Sequence, residues 1–288
     1  MLANAIDEML LHGFHRLPSV ISWRMHDRVL RRIRNHGIRL PPRVVRCRDG
    51  FRLLVDPADW IGSHVALKRE FEPGLTRIVQ RFLNRGDHFV DVGANIGYFS
   101  LLAAGVTGST GWVSAFEASP ITRQALARNI ALNGLQERIV VEGAAAWDAV
   151  AELIFHQGPV DNSGLSSLAA MPRTIASFNV IAAPLDDLVP FRQKSVHFVK
   201  LDVEGAEYNV LAGMRKIIHA CRPIIALELS PRLLQGFGHN SEALLRLVTR
   251  DFGYEVHWYD SRGQLSPADT DALAGEHDAQ ENLLLLPV

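Results

Sequence analysis

The chain has little cysteine. Cys47 and Cys221 are the only two in 288 residues, and neither belongs to a Cys-x-x-Cys pair. That argues against a paired-thiol zinc site and suits a reducing compartment, so a cytoplasmic location is expected. Long apolar runs are also missing. None approaches the ~18 residues needed to span a bilayer. The first residues lack a basic start, and Asp7 and Glu8 interrupt the apolar stretch there, so they do not read as a signal peptide. A formal net charge of −1 supplies no global field for a nucleic-acid partner, and none is expected. There is no internal repeat and no low-complexity tract. What remains is an ordinary globular composition, 48% hydrophobic.

The densest signal is His88-Phe-Val-Asp-Val-Gly-Ala-Asn-Ile-Gly-Tyr-Phe-Ser100. Phe89, Val90 and Val92 give the continuous apolar run of a strand covered on both faces. A small-residue turn follows, and Gly97 to Ala104 reads as helix. In an open α/β sheet that strand-to-helix crevice is where ligands bind. A dinucleotide would need Gly-x-Gly-x-x-Gly. The corresponding positions here are Gly93, Asn95 and Tyr98, so NAD and FAD are disfavoured. No Gly-Lys-Ser or Gly-Lys-Thr follows, which removes a P-loop. Asp-x-Gly-x-x-x-Gly instead resembles the first signature of S-adenosylmethionine-dependent methyltransferases. The resemblance implies that Gly93 and Gly97 let the chain pass close to the methionine part of the cofactor. It also implies that Asp91 holds the ammonium group, directly or through water. Asn95 and Tyr98 join the same cofactor set. The alternative is an ordinary βα turn.

Trp112-Val-Ser-Ala-Phe-Glu-Ala118 is a second apolar strand, and it ends in Glu117. A carboxylate at the end of the second strand of a nucleoside-binding unit can accept both ribose hydroxyls. Ser119-Pro120 then reads as an N-cap with proline at the first helical position. The helix is expected to run to Asn133, with Gly134 as its stop.

The repeating βα pattern sets the organisation. Residues 1–43 read as a helical extension, with Ile6, Met9, Leu10, Phe14 and Leu17 at helical spacing. Val44 to Asp56 reads as a hairpin turning at Asp49-Gly50. Trp60 to Phe71 is expected as a loop or short helix, and Pro73 to Asn84 as an amphipathic helix. Strands are expected at Phe89–Val92, Val113–Phe116, Ile139–Glu142, Val196–Asp202 and Ile224–Leu229. A hairpin, Leu153–His156 with Val180–Pro184, is inserted after the third. A helix Ser241–Phe252, a strand Tyr254–Tyr259, a polar loop and a strand Leu283–Pro287 close the chain, the last two strands forming an antiparallel pair. The fold class is α/β, a doubly wound, seven-stranded and mostly parallel Rossmann-like sheet with an N-terminal helical and hairpin extension.

Val196-His-Phe-Val-Lys-Leu-Asp-Val-Glu-Gly-Ala-Glu207 is the second constellation. A buried strand ends there in Asp202, Glu204 and Glu207, beside the first turn. Lys200 and Asp202 share one strand face. Together, Val-Asp-Val-Gly-Ala-Asn-Ile-Gly-Tyr-Phe, Ala-Phe-Glu and Val-Lys-Leu-Asp-Val-Glu-Gly-Ala-Glu resemble the FkbM-type methyltransferases (class I). So do Glu72-Pro73, Leu185-Asp-Asp-Leu188 and Pro223 to Glu228. The resemblance covers roughly residues 44–288, taken as the methyltransferase domain. One departure is Ala118-Ser119-Pro120, where the family often has proline directly after the ribose-binding acid. The resemblance implies S-adenosyl-L-methionine as cofactor and S-adenosyl-L-homocysteine as product. The implied acceptor is a hydroxyl of a sugar, polysaccharide, glycolipid or natural product. Glu72, Ala145 and Asp202 complete the cofactor set.

An alcohol is a poor nucleophile until its proton leaves, so a positioned base is expected. Asp202, Glu204, His64 and Glu228 are the candidates, because clustered carboxylates can raise one pKa toward neutrality. The acids could also hold a divalent metal through oxygen ligands, but no metal is predicted. Capping of the following helix is the expected role of Glu207. From Arg16 to Arg52 there are eleven arginines and two acids. They are expected to decorate a wet face, with peripheral contact to an anionic membrane as the alternative. A homo-oligomer fits the apolar N-terminal stripe. Two rival functions stand beside the methyltransferase reading. A nucleic-acid methyltransferase is disfavoured because no Asn-Pro-Pro-Tyr, Asp-Pro-Pro-Tyr or Pro-Cys occurs. A non-catalytic cofactor-binding assembly protein docking through the basic segment is disfavoured by the intact acids at both strand ends.

Overall fold

The computed structural model describes residues 41–169, 173–275 and 278–288. The expected helical extension over residues 1–43 lies almost wholly outside them. The chain enters through a hairpin, β1 (Arg43–Arg46) and β2 (Arg52–Val55), which turns through Gly50 at φ +93°. Helix α1 (Trp60–Lys68) begins where the Asp59 carboxylate accepts from the Gly62 N–H. Helix α2 (Pro73–Phe82) starts with proline in its first turn, and its N-cap is Glu72. The stretch expected as loop or short helix is therefore helical through most of its length.

The central sheet follows. Strand β3 (His88–Val92) leads into α3 (Tyr98–Thr107). Strand β4 (Trp112–Phe116) leads into α4 (Pro120–Leu132), whose N-cap Ser119 accepts from the Thr122 N–H. Strand β5 (Ile139–Glu142) ends that half. A small second sheet comes next, in which β6 (Ala145–Ala146) and β7 (Ala151–Gln157) flank β8 (Ala176–Ala183). The chain returns through β9 (Phe198–Leu201), β10 (Ile224–Leu229), β11 (Tyr254–Tyr259), β12 (Leu265–Pro267) and β13 (Glu281–Pro287).

The main sheet has the order β12-β11-β13-β10-β9-β3-β4-β5. Strands β10, β9, β3, β4 and β5 are parallel, and β13 inserts antiparallel between β10 and β11. The seven expected strands are present, and β12 adds an eighth at the edge. It arises in the segment expected to be only a polar loop, which also holds a helix, Thr270–Ala274. There the apolar residues are sparse; among the described ones Leu273 is the large apolar side chain that is deeply buried, so no periodic signal marks the segment. The helix expected over Ser241–Phe252 ends as α-helix at Arg246 and continues as a π turn, Leu247–Asp251. The wider turn keeps Leu247, Val248 and Phe252 all buried.

Alternation along each strand divides the core into two layers. Phe89, Phe198, Ala226 and Leu284 share one layer with the hairpin, α2 and α3. Val90, Val92, Val199, Leu201, Ile225 and Leu283 face the other. The hairpin side chains Val45, Leu53 and Val55 belong to the first layer, so this segment is part of the same core as the sheet. Among the described residues no helix is long and apolar enough to cross a membrane. Arg46, Arg48 and Arg52 on the hairpin are exposed.

The Phe89 ring stacks on Phe198 at 5.4 Å, with no exposed surface. Phe89→Ala should cost about 3–5 kcal/mol, because the surrounding strands cannot collapse onto the gap. Urea unfolding measures this, and a loss under about 1 kcal/mol would contradict the placement of Phe89 at the centre of the layer.

Candidate functional site

Strand register assembles the site. Asp91 of β3 lies beside Lys200 of β9, and Lys200 beside Ala226 of β10. Two residues further on, each chain presents the same face again: Gly93, Asp202 and Glu228. Glu228 in turn pairs with Asn282 of β13. One row across the carboxyl end of the sheet therefore carries most of the polar groups. The neighbouring Tyr259 of β11 donates from its hydroxyl to Asn282 Oδ1 at 3.5 Å.

Lys200 is the cation of this row. Its ammonium lies 3.6 Å from Asp91 Oδ1 and 3.2 Å from Asp202 Oδ2, and donates to the Gly93 carbonyl at 3.3 Å. Asp91 is fully enclosed, and Ser100 Oγ donates to its Oδ2 at 2.5 Å. Asp202 differs, with 37% of its side chain exposed. The enclosed acid thus fixes the lysine, and the open acid faces the cleft. Burial works to lower the Lys200 pKa, but Asp202, Asp91 and Glu72 outweigh it and raise it above the ordinary lysine value. Burial likewise raises Asp91, opposed by Lys200 and Ser100.

The turn after β3 is held just as tightly. Gly93 has φ +76°, and a Cβ there would fall 1.9 Å from the Asp202 carbonyl oxygen. No other residue fits that approach. The Glu117 carboxylate accepts from the Asn95 N–H through Oε2 and the Ser119 N–H through Oε1, each at 2.9 Å. It thereby ties the first turn to the start of α4. Burial still pushes its pKa up to about 7. Asn95 and Glu204, like Glu72, sit at positive φ, 48°, 52° and 38°. Left-handed backbone at non-glycine residues costs energy and clusters at functional sites.

Two clefts open from this row. The first spans about 690 Å³, part of it open to solvent, and Gly93, Asn95, Glu117, Ala145, Asp202 and Glu204 are among its walls. Phe116 and Phe155 supply apolar surface there, and Ser163 and Ser166 come from the Asn162–Ser167 loop. The second spans about 260 Å³, most of it open to solvent, and is lined by Glu72, Lys200, Asp202, Glu228, Tyr259 and Asn282, with Leu75 and Leu227. Asp202 is common to both. Burial and the neighbouring Asp202 push Glu204 up to about 9 and Glu72 up to about 8. The same two causes bring Glu228 to about 7.

The expected site residues divide accordingly. Gly93, Asn95, Glu117, Ala145, Asp202 and Glu204 converge on the first cleft. Glu72, expected beside the cofactor, lines the second with Glu228. Asp91 and Gly97 lie behind the first cleft, Gly97 capping α3 at φ +93°. Tyr98 is buried among Phe51, Phe71 and Phe99. His64 lines neither cleft. It sits in α1, where its Nδ1 lies 2.8 Å from the Trp60 carbonyl and its ring packs on Trp60 and Phe71. Glu207 folds back on its own loop, its Oε1 accepting from the Gly205 N–H at 3.2 Å. Tyr259 and Asn282 carried no sequence signal. Among the described residues no group of three or more His, Cys, Asp or Glu side chains is arranged to hold a metal ion.

This sheet order, with its carboxylate row at the switch between β3 and β9, is the fold of the class I S-adenosylmethionine-dependent methyltransferases. Residues 91–256 match the Methyltransferase FkbM domain. That is more than half of the chain, and the chain belongs to that family. Among solved structures, the methyltransferase FkbM from Methylobacillus flagellatus KT superposes with a TM-score of 0.43 at 20% identity. The alignment covers 69% of this chain and 43% of that one, so this chain spans less than half of its length. A SAM-dependent O-methyltransferase from Thermotoga maritima gives a TM-score of 0.41 at 16% identity, over 86% of this chain and 78% of that one. The O-methyltransferase from Bacillus cereus in complex with SAH gives 0.42 at 15%, over 75% and 81%. No curated protein matches the chain in sequence.

Two outcomes follow from the electrostatics. Lys200→Met would leave Asp91 buried without its counter-charge, and should destabilise the fold by about 3–5 kcal/mol in urea unfolding. A neutral outcome would show that Asp91 is protonated without it. Glu72 and Glu204 have folded pKa values raised above their unfolded ones, so the native state binds more protons between about pH 5 and 9. Stability must therefore fall as pH rises through that window. Thermal unfolding should show a lower midpoint at pH 9 than at pH 7, and Glu204→Gln should flatten that slope. An unchanged slope in the variant would remove Glu204 from the titrating set.

Proposed function

We propose that this chain is an S-adenosylmethionine-dependent O-methyltransferase acting on a hydroxyl of a sugar, polysaccharide, glycolipid or natural product. The observation that carries the reading is the pair of clefts meeting at Asp202. One is lined by Glu117, Asn95 and Ala145, and the other is small and carries Glu72, Glu228 and Asp202 among apolar side chains. Residues 44–288 form the proposed catalytic domain, and 1–43 the proposed extension. The proposed location is cytoplasmic, with a homo-oligomer formed through the N-terminal apolar stripe.

The first cleft fits the cofactor. Glu117 spends one lone pair of each carboxylate oxygen on a backbone N–H, which leaves one on each for a ribose hydroxyl. Gly93 lets the backbone line the methionine end without a side chain in the way. Asp202 offers an exposed carboxylate for the ammonium group, and Ala145, Phe116 and Phe155 offer an apolar wall for a base. Excess acid around the row suits a ligand that carries positive charge. Asp91 would act one layer back, by fixing Lys200 and the Gly93 turn.

Bound S-adenosylmethionine supplies an electrophilic methyl carbon. The chain's own work is then to hold an acceptor oxygen in line and remove its proton. Asp202, Glu204 and Glu228 are the proposed catalytic carboxylates, since they flank the junction of the two clefts. His64 is left out of that set, because its ring nitrogen engages the α1 backbone.

Calorimetry with S-adenosylhomocysteine tests the cofactor assignment. The wild type should bind it, and Glu117→Ala should weaken binding by roughly tenfold or more, as expected for losing hydrogen bonds to a charged acceptor. Equal affinity in the variant would take the ribose role away from Glu117.

A further inference from the structure

We propose that the second cleft is the acceptor subsite, that it takes one uncharged hydroxyl-bearing group, and that Glu72 accepts the hydrogen bond of that hydroxyl. This rests on the reading of the first cleft as the cofactor site.

Size sets the first limit. The closed part of the cleft has room for little more than one hydroxyl oxygen. It therefore admits a single group, such as one edge of a sugar ring, while the rest of the acceptor stays outside. Position sets the second. The cleft shares Asp202 with the first cleft and lies on the layer of the sheet that faces α2.

Charge sets the class. Glu72, Glu228 and Asp202 stand on three walls. Lys200 is the only cation among the lining residues, and its charge is already shared between Asp91 and Asp202. A phosphate or carboxylate on the entering group would lie beside the Asp202 carboxylate, with no free counter-charge. A hydroxyl meets what it needs. The carboxyl groups accept its proton, and the Asn282 amide N–H₂, whose partner oxygen already accepts from Tyr259, is placed to donate to its oxygen.

Glu72 is singled out by what it lacks. It caps α2 from a left-handed conformation, φ 38°, without a cap hydrogen bond from its side chain. Among the described residues no hydrogen bond or ion pair holds its carboxyl, whereas Glu228 is hydrogen-bonded by Gln280 and Asp202 by Lys200. The groups that act on it are Asp202, Lys200, Glu228 and Asp91, and the Tyr259 phenol shares the cleft. A half-buried carboxyl beside other acids, with no hydrogen-bond donor of its own, gains from a ligand that supplies one.

The test uses the full chain saturated with S-adenosylhomocysteine. Ligand-observed NMR would compare methyl α-D-glucopyranoside, a neutral probe, with D-glucuronate, its acidic counterpart. The neutral glycoside should show saturation transfer and the glucuronate none. With side-chain ¹³C-labelled glutamate, the carboxyl resonance that disappears in Glu72→Gln should shift when the glycoside is added. Glu72→Gln combined with Glu228→Gln should admit glucuronate, a gain that misfolding cannot imitate. S-adenosylhomocysteine affinity should stay within about threefold in both variants, as for sites outside the cofactor contacts. Binding of glucuronate to the wild type, no binding of the neutral glycoside, or an unmoved Glu72 resonance each overturn the acceptor subsite while leaving the cofactor site standing. Failure of the wild type to bind S-adenosylhomocysteine overturns the cofactor reading first, and this proposal with it.

Discussion

The ion contact between Lys200 and the two aspartates is the constraint on which the rest of the site depends. A lysine 3% exposed exists in a sheet interior only if carboxylates offset its desolvation. Asp91 does so from the neighbouring strand, in direct register, and Asp202 does so from the same strand, two residues on. The ammonium also donates to the Gly93 carbonyl. One side chain thus joins the end of β3, the end of β9 and the turn between β3 and α3. Gly93 closes that joint from the other side, where only a hydrogen atom fits against the Asp202 carbonyl. The first cleft has its shape because these three elements cannot move apart independently.

Glu117 repeats the device one strand over. Among the described residues its carboxylate makes no ion pair, and it relies on two backbone N–H donors. Those donors belong to Asn95 and Ser119, the turns that follow β3 and β4. The two acids that the sequence places at successive strand ends therefore do different work. Asp91 is enclosed and anchors a cation. Glu117 lines the cleft and anchors backbone, with acceptor capacity left over. The same sequence position relative to a strand does not imply the same chemistry.

Much of the fold is legible in the sequence, because buried parallel strands carry a continuous apolar run. Strands β5, β10 and β11 have the bounds expected from the sequence. The departures have local causes. Strand β12 has three residues, one of them a proline, and draws its place from pairing with β11, not from a pattern of its own. The site was legible wherever one segment carried both the acid and the turn, as at Asp91-Val-Gly93 and Asp202-Val-Glu204. It was not legible where register decides. Asn282 reaches Glu228 only because β13 runs back antiparallel between β10 and β11, and nothing around Asn282 announces that. Tyr98 shows the converse. Motif spacing counts it with the turn, but it opens α3, and the helix rotation sends its ring into the aromatic cluster with Phe51 and Phe71.

The surplus of acid over base in the row has a further consequence. Five carboxylates, Glu72, Asp91, Asp202, Glu204 and Glu228, act on one another around a single ammonium. Burial and mutual repulsion raise the pKa of Glu72 and Glu204 well above the ordinary carboxylate range. A cation placed among them would favour the ionised forms, so binding of a positively charged ligand and loss of protons are linked. The unliganded protein is then an incomplete charge set, folded at the expense of strained backbone at Glu72, Asn95 and Glu204. Those three residues stand on the walls of the two clefts. The strain and the unbalanced charge are found in one place, which is where a cationic cofactor and a neutral hydroxyl would together complete the set.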